Sequence, residues 1–238
     1  MRSCPRTLAL ICSSLLLIVT STGCMETPAA SPALIDETTL ENHGWSQEGE
    51  IEYSTLQQSI SDSSSISFNS TFVKYRNERL TSDIIDQTNS FKDAYNIPFD
   101  SEFPKMDAWI STNRITLPGG AKLPIDMISK MTNRSFNDMS EQNNIRNFSK
   151  IETRELVMKE GSVIYVSIYS GSASAQNSSL NVLGLVAAFG NEDSSTIVIG
   201  MTPNGSLPVN IGPVEADLFT IDGNKEIEEM LELIATIE

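Results

Sequence analysis

Histidine occurs once, at His43, and cysteine three times, at Cys4, Cys12 and Cys24. A multi-histidine metal centre is therefore excluded. A Ser-His-Asp triad would have to use His43, which stands beside Gly44 in no recognisable nucleophile context, and "YSGSASA" lacks the G-x-S-x-G spacing. No G-x-G-x-x-G and no G-x-x-x-x-G-K-[ST] occurs, so nothing points to a nucleotide, and no cofactor is implied. Basic residues are scarce, 16 Lys and Arg against 31 Asp and Glu, and they form no cluster. Such a surface repels phosphate backbones, which excludes nucleic-acid binding, and it does not dock on anionic lipid by charge.

Long apolar runs are also missing. The longest, Leu8 to Val19, is interrupted by Ser13 and Ser14. It falls short of the roughly 20 residues that a membrane-spanning helix needs. Arg2 and Arg6 precede it, and the small residues Ser21-Thr22-Gly23 lead from it to Cys24. That is the grammar of a secretory signal. "STGC" resembles a lipobox, in which the Cys24 thiol is alkylated by a membrane lipid and becomes the mature N-terminus; Ser21 stands where that pattern commonly has Leu. Cys4 and Cys12 fall in the removed segment, which leaves Cys24 alone and no internal disulfide. One acyl chain binds marginally, whereas the two chains of a lipoprotein anchor hold stably.

The chain thus divides into a signal peptide over 1–23, a lipidated Cys24 with a Pro/Ala/Ser tether over 24–33, and a domain over 34–238. Without residues 1–23, which carry Arg2 and Arg6 and no acid, the 16 basic residues fall to 14 and the net charge moves from −15 to −17. High acidity suits a protein working in high salt, and equally an ordinary acidic extracytoplasmic one.

Within the domain, Ser31-Pro32 reads as the start of a short helix over 33–42, with Gly44 as its stop and Trp45 plugging the core edge. "EIEYSTLQ" and "SISFNSTFVKYR" alternate apolar with polar, as half-buried strands do, around a serine-rich turn at 61–65. Residues 81–103 are compatible with a weak helix carrying Ile84, Ile85, Phe91 and Tyr95. "DAWISTNRITL" is a strand, "PGG" a turn, Pro124 opens a short helix, and "NRSFNDMSEQNNIRNFSK" reads as a surface helix. "RELVMKEGSVIYVSIYSG" is a hairpin turning at Glu160-Gly161, and "NVLGLVAAFG" and "STIVIGM" are central strands. Ile227, Met230, Leu231 and Ile234 share one face of an amphipathic C-terminal helix opposite Glu228, Glu229 and Glu232. Hairpins with a few helices and no βαβ alternation predict a single α+β domain with a mainly antiparallel sheet.

Two acidic groups invite a metal reading. Asp222, Asn224 and Glu226 have calcium-loop spacing, but Ile227 and Leu233 occupy the positions that need Gly and Glu. Asp222 or Asn224 as a helix cap explains that stretch better. Asp100, Glu102 and Asp107 lie in a loop that reads as solvated, so no metal site and no catalytic residue is assigned. Five N-x-[ST] sequons, at Asn69, Asn133, Asn147, Asn177 and Asn204, are possible glycosylation sites on an exported chain.

The lipobox, the helix ending at Gly44-Trp45, "WISTNRITLPG" and the closing "DGNKEIEEMLELIATIE" together resemble an uncharacterised family of small surface lipoproteins of halophilic archaea. The family's pattern often has Gly-Tyr at Gly44-Trp45, Ser-Thr-Pro at Ser111-Thr112-Asn113, and a histidine near Glu238. The resemblance implies no activity. The leading expectation is a non-catalytic domain, anchored in the cell membrane through Cys24 and facing the exterior, that binds an envelope protein or a small ligand. The alternative is a cell-surface hydrolase that works with carboxylates, which a cleft with two converging acids would favour.

If the acidity serves a saline exterior, the domain's melting temperature rises steadily with NaCl or KCl to molar levels. Millimolar calcium at fixed ionic strength then leaves it unchanged. A saturating rise with calcium would instead reveal a metal site, following RT ln(1 + [L]/Kd).

Overall fold

A run as apolar as "IVIGM" has to lie where both faces of a strand are covered, and it does. In the computed structural model, which describes residues 28–61, 64–96, 107–120, 145–175, 178–190, 193–211 and 214–238, every residue from Ser194 to Pro203 is buried. The elements in chain order are α1 (Glu37–His43), β1 (Trp45–Gln47), β2 (Glu52–Ser61), β3 (Ser64–Asn77), α2 (Glu78–Tyr95), β4 (Trp109–Thr116), β5 (Ile145–Val157), β6 (Val163–Ala175), β7 (Ser178–Gly190), β8 (Ser194–Ile211), β9 (Val214–Ile221) and α3 (Gly223–Ile234). The fold is α+β: nine antiparallel strands with three helices among the described residues, one of them C-terminal.

The strand order is β1-β3-β4-β8-β7-β6-β5, with β2 on β3 beside β1 and β9 on the far part of β8. β5 to β8 form a meander, and β8 also pairs β4, from Trp109↔Met201 to Thr116↔Ser194. Past Asn204, Gly205 takes φ +91, a value that favours glycine, and the rest of β8 pairs β9 instead.

One row of cross-strand neighbours, Tyr75, Ile110, Gly200, Leu185 and Ile168, belongs to the face that the helices cover. Ile227, Met230, Leu231 and Ile234 of α3 are all buried in the same core, as the helical spacing predicts. The opposite face carries a second cluster of Phe68, Ile115, Leu117, Val186, Ile197 and Ile199, with Phe148 stacked on Tyr169 at 5.4 Å.

Several local expectations change. The first helix begins at Glu37, capped by Asp36, whose Oδ1 accepts from Thr39 N at 2.9 Å; it does not begin at Ser31-Pro32. Ala33 and Ile35 are buried ahead of it, and Ile35 N donates to Tyr75 Oη. Extended chain there lets both apolar side chains and the amide find partners. Gly44 does stop the helix, in the left-handed conformation at φ 71. Residues 78–95 form a full helix, capped by Asn77. Tyr53, expected on a half-buried strand, is 67% exposed because β2 is an edge.

Residues 145–150, expected in a surface helix, are the start of β5, and nearly all of β5 is exposed. The Pro124 helix and residues 133–144 lie outside the described residues, as do 62–63 of the serine-rich turn.

Ile234 has no exposed surface and Glu232 lies on the wet side of the same helix. Ile234→Asp buries an unpaired charge and is expected to cost several kcal/mol, whereas Glu232→Ala stays within about 0.5 kcal/mol. Urea titrations of both variants check this. Equal midpoints would show that the helix does not seat by that face.

Candidate functional site

Two places bring polar side chains together. The first lies where α3 meets the β3–α2 corner. Asp222 caps α3, its Oδ1 accepting from Asn224 N and Lys225 N, and this sets the helix so that Glu226 points inward. Asn77 is the last residue of β3 and caps α2 by accepting from Leu80 N at 2.9 Å. Its Nδ2 donates to Glu226 Oε2 at 2.8 Å. Arg79 Nη2 donates to Glu226 Oε1 at 3.2 Å and to Glu229 Oε1 and Oε2 at 2.9 and 2.7 Å. His43, at the end of α1, presents Nε2 3.2 Å from Glu232 Oε2, so it faces the acidic helix and is not a plain surface residue.

Burial pushes the Glu226 carboxyl above the usual carboxylate range; the Glu229 charge adds to this and the Arg79 guanidinium opposes it. Two acids thus converge, and one is perturbed. Yet Glu226 is only 4% exposed and its oxygens already accept from Asn77 and Arg79. It offers a substrate nothing.

The second place is open. The β6–β7 ladder ends at Val166↔Ala187, although β6 begins at Val163 and β7 runs on to Gly190. Between these unpaired ends lies a cleft of about 450 Å³. Main-chain groups of alternate strand residues point to opposite neighbours, so each strand offers some of its N–H and C=O groups to this gap. Arg114 of β4 lines it. Its Nε donates to Thr196 Oγ1 at 3.1 Å, Nη1 to the Pro32 carbonyl at 3.4 Å, and Nη2 to the main-chain oxygen of Glu238 at 2.6 Å. Burial draws its pKa below the ordinary guanidinium value, and the Glu160 carboxylate opposes that.

Ser162, Tyr165 and Phe189 complete the polar and aromatic walls. Two carboxylates stand on the rim. Glu160 accepts from Ser162 Oγ at 2.9 Å, and Glu238 Oε1 lies 3.5 Å from Lys159 Nζ. With Arg114 held by Thr196, Pro32 and Glu238, the Ser162 and Tyr165 hydroxyls and the remaining guanidinium N–H groups are what this gap offers a small polar molecule.

Of the residues singled out from the sequence, His43, Asp222 and Glu226 belong to the first place and the others fall elsewhere. Cys24, Asn133, Asn177, Asp100 and Glu102 lie outside the described residues. Asp107 pairs with Arg76 Nη2 at 3.1 Å and accepts from Thr81 Oγ1. Among the described residues no group of three or more His, Cys, Asp or Glu is arranged to hold a metal ion. Asn147 is exposed on edge strand β5, at φ +55 beside a bulge. Asn69 Nδ2 donates to the Pro28 carbonyl, and Asn204 Oδ1 accepts from Gly223 N, so glycans there would displace existing contacts. Sequence reasoning missed Arg114, and it weighed Glu226 as a calcium-loop residue and not as a buried partner of Asn77 and Arg79. The one available signal for Arg114 was a charge inside the strand pattern of "WISTNRITL".

The chain belongs to the family described as Domain of unknown function (DUF6517), which matches residues 32–238. No curated protein and no solved structure matches it. No helix among the described residues is long and apolar enough to cross a membrane.

The raised pKa of Glu226 gives a signed expectation. A carboxyl that holds its proton more tightly when folded contributes stability below its unfolded pKa, and loses it as pH rises through the folded value. Glu226→Gln removes this loss, so its stability relative to wild type improves as pH rises above the ordinary carboxylate value of 4.5. Glu226→Ala strands Asn77 Nδ2 and costs about 1–3 kcal/mol at neutral pH. Denaturant midpoints from pH 4 to 8 test both; a pH-independent Gln-minus-wild-type difference would refute the assignment.

Proposed function

We propose that this member of the DUF6517 family is a lipid-anchored domain on the outer face of the cell membrane that binds a small polar ligand in the β6–β7 cleft without transforming it. Support for the anchor comes from the sequence: a charged start, a short apolar run, and "STGC" at its end, with Cys24 the sole thiol after cleavage. The motifs shared with surface lipoproteins of halophilic archaea agree with this, and a net charge of −17 for the chain without residues 1–23, Arg2 and Arg6 removed from the −15 total, suits a saline exterior.

One observation favours binding over hydrolysis. Glu226 and Glu229 are committed to Arg79, and the two carboxylates that line the cleft are engaged as well, Glu160 by Ser162 Oγ and Glu238 by Lys159 Nζ. Glycoside or ester hydrolysis by carboxylates needs a placed pair facing the substrate.

The anchor is tested by fractionation. Cys24→Ser is expected to leave the membrane fraction or to remain uncleaved; a normally cut variant that stays membrane-bound would sink the lipobox reading. The cleft is tested with Ala188→Trp, which fills it from an exposed position. Wild-type protein extracted in mild detergent and then denatured should release a small polar molecule detectable by mass spectrometry, and the variant should release much less. Turnover of a chromogenic ester or glycoside that is abolished by Glu160→Gln would favour the hydrolase instead.

A further inference from the structure

The β5–β6 hairpin exposes Val157, Val163 and Tyr165 at 63, 53 and 63%. Val157 and Val163 are cross-strand partners, so they lie on one face, and Tyr165 follows two residues on along β6. This patch lies at one particular end of the sheet. Asn69 of β3 stands opposite Thr116, Thr116 opposite Ser194, and Gly190 opposite Ser195. With Val166 opposite Ala187, Val163 falls level with Gly190 in that end row. Three ladder spacings of about 4.8 Å, roughly 14 Å, separate Asn69 from Gly190, and Val163 lies beyond them across the cleft.

The tether leaves from the same end. Asn69 Nδ2 holds the Pro28 carbonyl at 3.0 Å, Thr71 Oγ1 holds the Ser31 carbonyl, and Arg114 holds the Pro32 carbonyl. Asn69, Thr71 and Arg114 project from the helix-covered face and Val163 and Tyr165 from the opposite one, so the tether and the patch share an end of the sheet, joined there by the cleft that Arg114, Val163 and Tyr165 line. Only three residues lie between Cys24 and Pro28, so the two are at most about 14 Å apart along extended backbone. A lipid on Cys24 therefore holds this end of the sheet close to the bilayer and leaves little room for it to turn away.

The geometry points to the β5–β6 hairpin as a second membrane contact, with Val157 and Val163 entering the lipid interface and Tyr165 at headgroup level; this rests on the lipid anchor at Cys24. Tyrosine favours that depth because its ring is apolar and its hydroxyl wet. The tip is also locally neutral in an acidic chain. Residues 157–165 carry one cation, Lys159, and one anion, Glu160. Glu155, exposed opposite Tyr165, limits the depth of entry. The contact orients the cleft toward the membrane surface.

The test uses the full lipidated protein in phosphatidylcholine vesicles whose acyl chains carry doxyl quenchers. Val163→Cys, or Asn224→Cys at the far end of the sheet, takes an environment-sensitive fluorophore on the only free thiol, since Cys24 is alkylated. Both positions are exposed, and melting curves confirm that both proteins fold. Flotation comes first: protein that fails to float overturns the anchor and this inference with it. For floated protein, quenching is expected to be several-fold stronger at position 163 than at 224. Equal quenching, or none at 163, overturns the membrane contact and leaves the anchor standing. Efficient 163-to-163 crosslinking without quenching would show that a second copy covers the patch, and would likewise overturn it.

Discussion

The buried carboxylate of Glu226 fixes how the C-terminal helix meets the rest of the molecule. Its two oxygens accept from Asn77 and Arg79, residues that also terminate β3 and begin α2. Arg79 reaches from there to the carbonyl of His43 at the end of α1. One acid therefore ties three helices and a central strand at a single corner. Desolvating a carboxylate is unfavourable, and its raised pKa registers that cost. What is gained is register: turning α3 by one residue would remove Glu226 from both donors and Ile227, Met230 and Ile234 from the core together.

With that corner fixed, α3 covers the middle of the sheet and leaves one end uncovered. β8 is held between β4 and β7 along its first half, while β6 and β7 pair only as far as Val166 and Ala187. The cleft occupies the place where a ladder would otherwise continue. There β6 still pairs β5 and β7 still pairs β8, so the gap opens on one side of each strand only. Arg114 crosses the same end and ties three segments that are remote in sequence: the tether at Pro32, β8 at Thr196, and the chain at Glu238.

Under the proposed anchor, charge and covalent attachment would act on this architecture in opposite directions. An acidic surface is repelled by anionic headgroups, and a short lipidated tether would bring one end of the sheet back to them. That end is where the cleft opens and where Val163 and Tyr165 are exposed. The proposed ligand site would then lie near the membrane plane.

How much of this was legible depended on how local the governing interactions are. The amphipathic helix was, because Ile227, Met230, Leu231 and Ile234 repeat at helical spacing within one window, and Asp222 capped it as its residue type suggested. β7 and β8 were, because strands covered on both faces must be apolar throughout. The start of β5 was not: an edge strand exposed on nearly every side has no alternation to read, so "IRNFSK" looked like a polar helix. The cap at Asp36 was displaced from the Ser31-Pro32 signal because Ile35 had a core to enter. The roles of Glu226 and Arg114 were invisible for a stronger reason. Glu226 finds Asn77 149 residues away and Arg114 finds Pro32 82 away. The sequence by itself thus determined acidity and the apolar elements, each set by composition or by short-range periodicity. Only the tertiary structure decided which acid is buried, where the sheet parts, and which end faces the tether, since those follow from long-range strand register that no local window contains.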